Sequence, residues 1–203
     1  MSTLHLPPEL SQELQAIYTA MATGYAHAAE TIGLTCDNCP DNCCDSYFLH
    51  YTYCEWAYLW QGLHELDPKK LEQIRLQAHH YLAASQRDLA KNKRPQIMCP
   101  LNEAGRCQLY SHRLMICRCH GVPATLTSPN GRQQRFPGCS RCQEIVLQHY
   151  APAELAPAMD RTALYRRLVQ VEQRFLGAAR PLYPKIRLTI AEMIAQGPPQ
   201  RRH

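Results

Sequence analysis

Ten of the eleven cysteines fall into two groups whose spacing suits a soft metal. The first is Cys36-x2-Cys39-x3-Cys43-Cys44; the second runs Cys99-x7-Cys107-x9-Cys117-x-Cys119 and ends in Cys139-x2-Cys142. Two residues between cysteines let a tight turn aim both sulfurs at one ion while backbone amides face the thiolates, as in zinc and iron-sulfur sites. Adjacent side chains diverge, so Cys43 and Cys44 are expected to serve different irons or different sites. A polynuclear cluster or two neighbouring centres then suits the pattern better than a single zinc ion. Cys54 stands apart, beside Glu55 and Trp56 on an expected helix, and reads as a buried thiol. Cys139-Ser-Arg-Cys142 also has the form of a thioredoxin-like redox pair, but no parallel βαβ pattern precedes it. Arg106, Arg118 and Arg141 lie among the cysteines, where they would offset the anionic charge of a cluster and tune its potential. His50, His112 and His120 lie near enough in sequence to replace a thiolate, yet read as surface or supporting residues; His79-His80 reads as helix surface.

These blocks resemble the zinc- or iron-chelating family named for its CxxCxxCC motif, the YkgJ-like cysteine-cluster proteins. Cys36-Asp-Asn-Cys39-Pro-Asp-Asn-Cys43-Cys44 is similar to the N-terminal motif, with one extra residue before the double cysteine. Cys99-Pro100-Leu101 through Gly105-Arg106-Cys107, Tyr110, Arg113, Cys117 and Arg118 resembles the second block, with Leu114 where the family has proline. The match spans residues 36–118. It implies a bacterial chelating protein with Cys36, Cys39, Cys43, Cys44, Cys99, Cys107 and Cys117 as metal ligands. Cys119, Cys139 and Cys142 lie beyond it and join the ligand set on spacing and chemistry alone, where they could complete a second site. One branch of the family is related to flagellin lysine-N-methylases, but no glycine-rich S-adenosylmethionine loop follows a strand here.

The 203 residues, 45% hydrophobic and 19% charged, exclude a disordered or solvating polymer. The start, MSTLHLPPEL, has neither a basic stretch nor an apolar run of a secretory signal, and nothing approaches a membrane span. The expected location is the cytoplasm, where thiols hold metal more often than they pair. The net charge of +5 is spread out. Arg161, Arg166, Arg167 and Arg174 fall on one expected helix and Arg201-Arg202-His203 form a basic tail, which reads as a solvated face and a frayed end. Nucleic-acid binding is not the favoured expectation, because no RNP-like, helix-turn-helix or C2H2 spacing supports it.

The elements that must position the cysteines are mostly helical. The apolar spacing predicts a helix from Pro8 to near Gly33, another capped by Thr52 and running through Leu63, and a third starting at Asp67-Pro68. From Pro95 to Cys142 periodicity gives way to cysteine, glycine and proline. There Val122–Leu126 and Gln133–Phe136 flank a Ser-Pro-Asn-Gly turn and predict a short β-hairpin. Helices are expected at Arg141–Tyr150, from Pro152 to about Leu176 with Leu155, Met159, Leu164, Leu168, Val171 and Phe175 facing inward, and after Pro184 with Ile186, Ile190, Met193 and Ile194 on its apolar face. The expected fold is mainly α: one domain, with an N-terminal helix in 1–35, a loop-built cysteine-rich metal centre in 36–142 and C-terminal helices in 143–203.

Three functions fit this reading. The first is an iron-sulfur protein with one or two 4Fe-4S clusters, serving electron transfer or the redox chemistry of a protein partner. The second is a zinc-stabilised interaction module. The third is an enzyme, either methylase-like or redox, for which the sequence assigns no catalytic residue.

Overall fold

The computed structural model describes residues 2–37, 39 and 43–201. Asn38, Pro40, Asp41 and Asn42 of the first motif, and Arg202 and His203 of the basic tail, lie outside the described residues. The fold is mainly α, as the sequence predicts. Its helices are α1 (Pro8–Ile32), α2 (Tyr53–His64), α3 (Pro68–Ala90), α4 (Met115–Cys119), α5 (Ser140–His149), α6 (Thr162–Leu176) and α7 (Ile190–Ala195). Strands β1 (Asn102–Glu103) and β2 (Arg106–Cys107) form one small antiparallel sheet. A second sheet has the order β4-β3-β5, from Gln133–Phe136, Ala124–Thr127 and Met159–Asp160. No described helix is long and apolar enough to cross a membrane.

The chain gathers into two compact units, neither continuous in sequence. The first comprises Met1–Ser11, Cys44–Cys117 and Val171–His203. Its centre is α2, buried along nearly its whole length, with Tyr58, Leu59, Trp60 and Leu63 excluded from solvent. The indole N–H groups of Trp56 and Trp60 both donate to the Met193 carbonyl, at 3.1 and 3.0 Å, so two large rings meet the otherwise orphaned C-terminal end of α7. Asp67 accepts the Lys69 amide at 2.9 Å and starts α3, with proline at its first position.

The last helix begins later than the sequence predicts. Thr189 and Glu192 form a reciprocal capping box that fixes the start at Ile190. Ile186 therefore precedes the helix, in a segment whose Leu188 exchanges backbone hydrogen bonds of 2.7 and 3.0 Å with His50.

The second unit comprises Gln12–Cys43 and Arg118–Gln170. The expected hairpin is present, with Ala124 opposite Phe136 and Thr127 opposite Gln133. The helix expected from Pro152 to Leu176 is corrected: it starts at Thr162, and residues 159–160 instead pair parallel with β3, Met159 beside Ala124. Pro157 can neither donate to a preceding turn nor fit against its carbonyl, and Asp160 caps the Thr162 amide at 2.9 Å. Leu155, expected to face inward, is 69% exposed. Arg161 is likewise not on a solvated helix face, but buried with its guanidinium carbon 3.8 Å from the Phe136 ring centroid.

Replacing Thr189 by Ala removes the side-chain half of the capping box, in which its hydroxyl accepts the Glu192 amide, and leaves its backbone amide donating to the Glu192 carboxylate. We expect a loss of about 1 kcal/mol, read as a lower midpoint in urea unfolding with an unchanged slope.

Candidate metal centre

Four cysteines from separated segments of the first unit, Cys44, Cys99, Cys107 and Cys117, lie near enough that the other three all act on the Cys117 thiol. Backbone hydrogen bonds build this approach. The Cys44 carbonyl accepts the Cys99 amide at 2.9 Å, and the Cys99 carbonyl accepts that of Asn102 at 2.9 Å. Asn102 lies opposite Cys107 across β1 and β2. Ala104 and Gly105 join these strands with positive φ angles of 49° and 82°, the geometry of a tight primed hairpin turn.

Cys117 comes from α4, whose first amide, on Met115, donates to Glu55 at 2.7 Å. Glu55 is 4% exposed, and its other oxygen accepts the Thr52 hydroxyl at 2.8 Å. Glu172 receives the Tyr53 and Cys54 amides at 3.0 and 2.8 Å, so two carboxylates hold the N-termini of the helices around the quartet. The turn leading into α4 packs on α2 through His112, whose ring lies 4.7 Å from that of Tyr58. A Cβ at Gly62 would stand 2.5 Å from the same ring.

The thiols of the quartet lie within one another's fields. Burial pushes Cys99 up to about 12; the Leu101 amide opposes this, and Cys44 and Cys107 add to it. Burial also pushes Cys117 well up, with Cys99, Cys107 and Cys44 adding and Arg113 opposing. Tyr81 of α3, pushed up to about 12 mainly by burial, feels Cys99 too. Such thiols keep their protons near neutrality, and a bound cation is what would favour the thiolates.

A second group lies in the second unit. The Tyr25 hydroxyl is 4.0 Å from Cys36 Sγ, and its proton is held tightly, chiefly by burial and then by Cys36, Cys139 and Cys43. Burial pushes Cys142 up to about 11, with Cys139 adding and Arg135 opposing. Cys139 is the residue before α5, and its amide donates to the Gly121 carbonyl at 3.1 Å. Two glycines permit this crossing. At Gly138, with φ of 87°, a Cβ would lie 2.5 Å from the Gly121 carbonyl oxygen and 2.8 Å from Cys142 Sγ; at Gly121 one would lie 2.3 Å from the Tyr25 hydroxyl.

The ten expected ligands thus divide. Cys44, Cys99, Cys107 and Cys117 form one group. Cys36, Cys43, Cys139 and Cys142 form the other, with Cys39 in the Cys36 turn, its amide 3.2 Å from the Cys36 carbonyl. Cys119 faces Met21 of α1, its Sγ 3.7 Å from the thioether. Cys54 is buried, and burial with Glu172 and Glu55 nearby holds its proton firmly. All eleven cysteines are thiols rather than disulfides. Among the described residues, no group of three or more His, Cys, Asp or Glu stands in a geometry that could hold an ion.

Of the expected arginines, Arg141 donates to the Asp37 carbonyl at 3.2 Å, within the Cys36 turn. Arg118 stacks 4.5 Å from the Tyr18 ring centroid, and Arg106 is exposed on β2. Sequence reasoning missed Arg113, Arg135 and Tyr25 as neighbours of thiols. Arg113 was signalled by its place in the second block, whereas Arg135 and Tyr25 are remote from their thiols in sequence. His50 is buried with its ring held neutral, burial lowering it to about 3, and His79 and His80 are exposed on α3. Comparison with family models, with curated proteins and with solved structures finds no match to this chain.

Two predictions follow from this geometry. Replacing Glu55 by Ala leaves the buried Met115 amide without its acceptor and should cost about 1–3 kcal/mol, while raising the alkylation rate of Cys117 in chelator-treated protein. In that same protein, folded Cys99 and Cys117 keep their protons to higher pH than unfolded cysteines do. Their contribution to stability is complete below the ordinary thiol range and falls as pH climbs towards 12. Denaturation midpoints measured across the alkaline range should decline more steeply for wild type than for Cys99→Ser/Cys117→Ser.

Proposed function

We propose that this chain is a metal-binding cysteine-cluster protein of the YkgJ-like kind, whose Cys44, Cys99, Cys107 and Cys117 hold a 4Fe-4S cluster for electron transfer or a partner's redox chemistry. The observation that carries the reading is the approach of four thiols from separated segments, Cys117 sensing the other three and Cys99 sensing Cys44 and Cys107. An all-thiolate donor set suits zinc or iron-sulfur. Burial favours the cluster: a zinc ion and an oxidised cubane with four thiolates carry the same net charge, and the larger group spreads it over more volume, lowering the cost of desolvation. When bound, the cluster supplies one-electron redox chemistry. The chain supplies the rest. Arg113 sets a positive charge near Cys117, Glu55 holds α4 in place, and the Cys44 carbonyl ties its own loop to that of Cys99.

Anaerobic purification without added metal, with iron, acid-labile sulfide and zinc measured on one sample, tests this. We expect a brown protein with matched iron and sulfide, and loss of the visible absorption in both Cys99→Ser and Cys117→Ser. A colourless protein with stoichiometric zinc, or colour retained in both variants, would overturn it.

A further inference from the structure

We propose that Cys139 and Cys142 are a redox-active dithiol, which reduces a small peptide disulfide of the glutathione class by thiol–disulfide exchange and closes into a disulfide of its own. The proposal concerns the second unit alone and does not rest on metal in the Cys44 quartet.

The start of α5 brings the two side chains together. Cys139 is the N-cap residue and Cys142 the third residue of the helix, the positions whose side chains face each other in a capping box. Cys139 has φ −76° and ψ 171°, close to the −73° and 162° of Thr189. The same pair of positions in α7 brings the Thr189 hydroxyl to 2.8 Å from the Glu192 carboxylate. The backbone of Cys139 is pinned on both sides, its amide donating to the Gly121 carbonyl at 3.1 Å and its carbonyl accepting the Gln143 amide at 2.9 Å. The Cys142 sulfur points back at the chain just ahead of Cys139. It lies 3.6 Å from the Pro137 carbonyl oxygen and 2.8 Å from where a Cβ on Gly138 would stand. Residues three apart on a helix have Cβ atoms about 5–6 Å apart and a disulfide needs about 3.5–4.5 Å, so a small local shift closes the bond.

The surroundings agree with this chemistry. A C-x-x-C pair in a βαβ setting is the arrangement of a thiol–disulfide exchange site, and α5 lies on the connection between β3 and β5, which pair parallel. That pairing joins segments remote in sequence, so no spacing announces it. Cys139 is partly exposed and Cys142 is buried, which leaves the first sulfur to meet an incoming disulfide. A cavity of about 310 Å³ adjoins the pair, lined by Pro137 and Gln143 and, one turn further along α5, by Val146 and Leu147. Arg135 lines it too, and with Arg141 beside Cys142 it suits the carboxylates of a small peptide disulfide.

The exchange runs in two steps. Cys139, its proton passed to water, attacks one sulfur of the substrate disulfide; that S–S bond breaks and the departing sulfur takes up a proton. Cys142 then gives up its proton, attacks the Cys139 sulfur and displaces the second substrate thiol. One substrate disulfide becomes two thiols, and two thiols of the chain become one disulfide.

The test equilibrates the full chain, as purified, with mixtures of reduced and oxidised glutathione under anaerobic conditions, followed by acid quenching, alkylation and trypsin. Cleavage after Arg135, Arg141 and Arg161 leaves residues 136–141 and 142–161 joined only through a Cys139–Cys142 disulfide. Wild type should give this linked pair in excess oxidised glutathione and lose it in excess reduced glutathione. Cys142→Ser should instead trap glutathione on Cys139, and Cys139→Ser should carry none on Cys142.

Both thiols remaining free in wild type under excess oxidised glutathione would overturn the proposal without recourse to any variant. So would a disulfide joining Cys139 to Cys36 in place of Cys142, or glutathione on Cys142 in Cys139→Ser to the extent found on Cys139 in Cys142→Ser.

Discussion

Bringing thiols into one another's fields, with Cys99 and Cys117 shielded from water, is the constraint on which the first unit depends. Left as thiols they are weakly polar and contribute little to holding the loops around them. Ionised without a cation they would repel, and burial would penalise each charge. A bound metal or cluster, as proposed, would resolve the conflict, because it would convert mutual repulsion into shared attraction and tie together segments that the loops alone cross-link weakly. The backbone bonds linking Cys44 to Cys99, and Cys99 to Asn102, would then act as the frame into which that attraction closes.

Around this frame the protein spends unusual polar residues. Glu55 is a buried carboxylate whose two oxygens accept an amide and a hydroxyl. Glu172 does the same for the start of α2. Both carboxylates sit at helix N-termini, where the backbone dipoles favour them. In the second unit glycine takes the corresponding part: Gly121 and Gly138 allow two backbone segments and a tyrosine ring to meet where side chains would collide. One group of thiols is thus held by carboxylate caps and a hairpin. The other is held by a glycine crossing and the first turn of α5.

Much of this could be read from the residues. Helix starts at Pro8 and at Asp67-Pro68, and the hairpin through Ser-Pro-Asn-Gly, follow from local chemistry that the tertiary structure leaves intact. The failures share a cause. Between Pro152 and Thr162 the apolar spacing imitates a helix, but Met159 is buried by pairing with β3, a partner remote in sequence. Ile186 was assigned to the last helix by the same spacing, where a capping box three residues later sets the true start. Cys43 and Cys44 have different neighbours, Tyr25 for the one and Cys99 and Cys117 for the other, which accords with the expectation from adjacency that they serve different sites. Which distant cysteines lie near each of them was not legible, since that depends on Glu55, Arg141 and two glycines that no spacing rule connects to a thiol.

Cys43 and Cys44 are neighbours in sequence, yet the account assigns them to different groups: Cys44 to the quartet, Cys43 to the thiols around Tyr25. The most direct measurement is therefore visible absorption, with iron and sulfide content, of anaerobically purified Cys43→Ser and Cys44→Ser side by side. The account predicts that Cys44→Ser loses the cluster while Cys43→Ser retains it. Equal loss in both, or loss confined to Cys43→Ser, would contradict it.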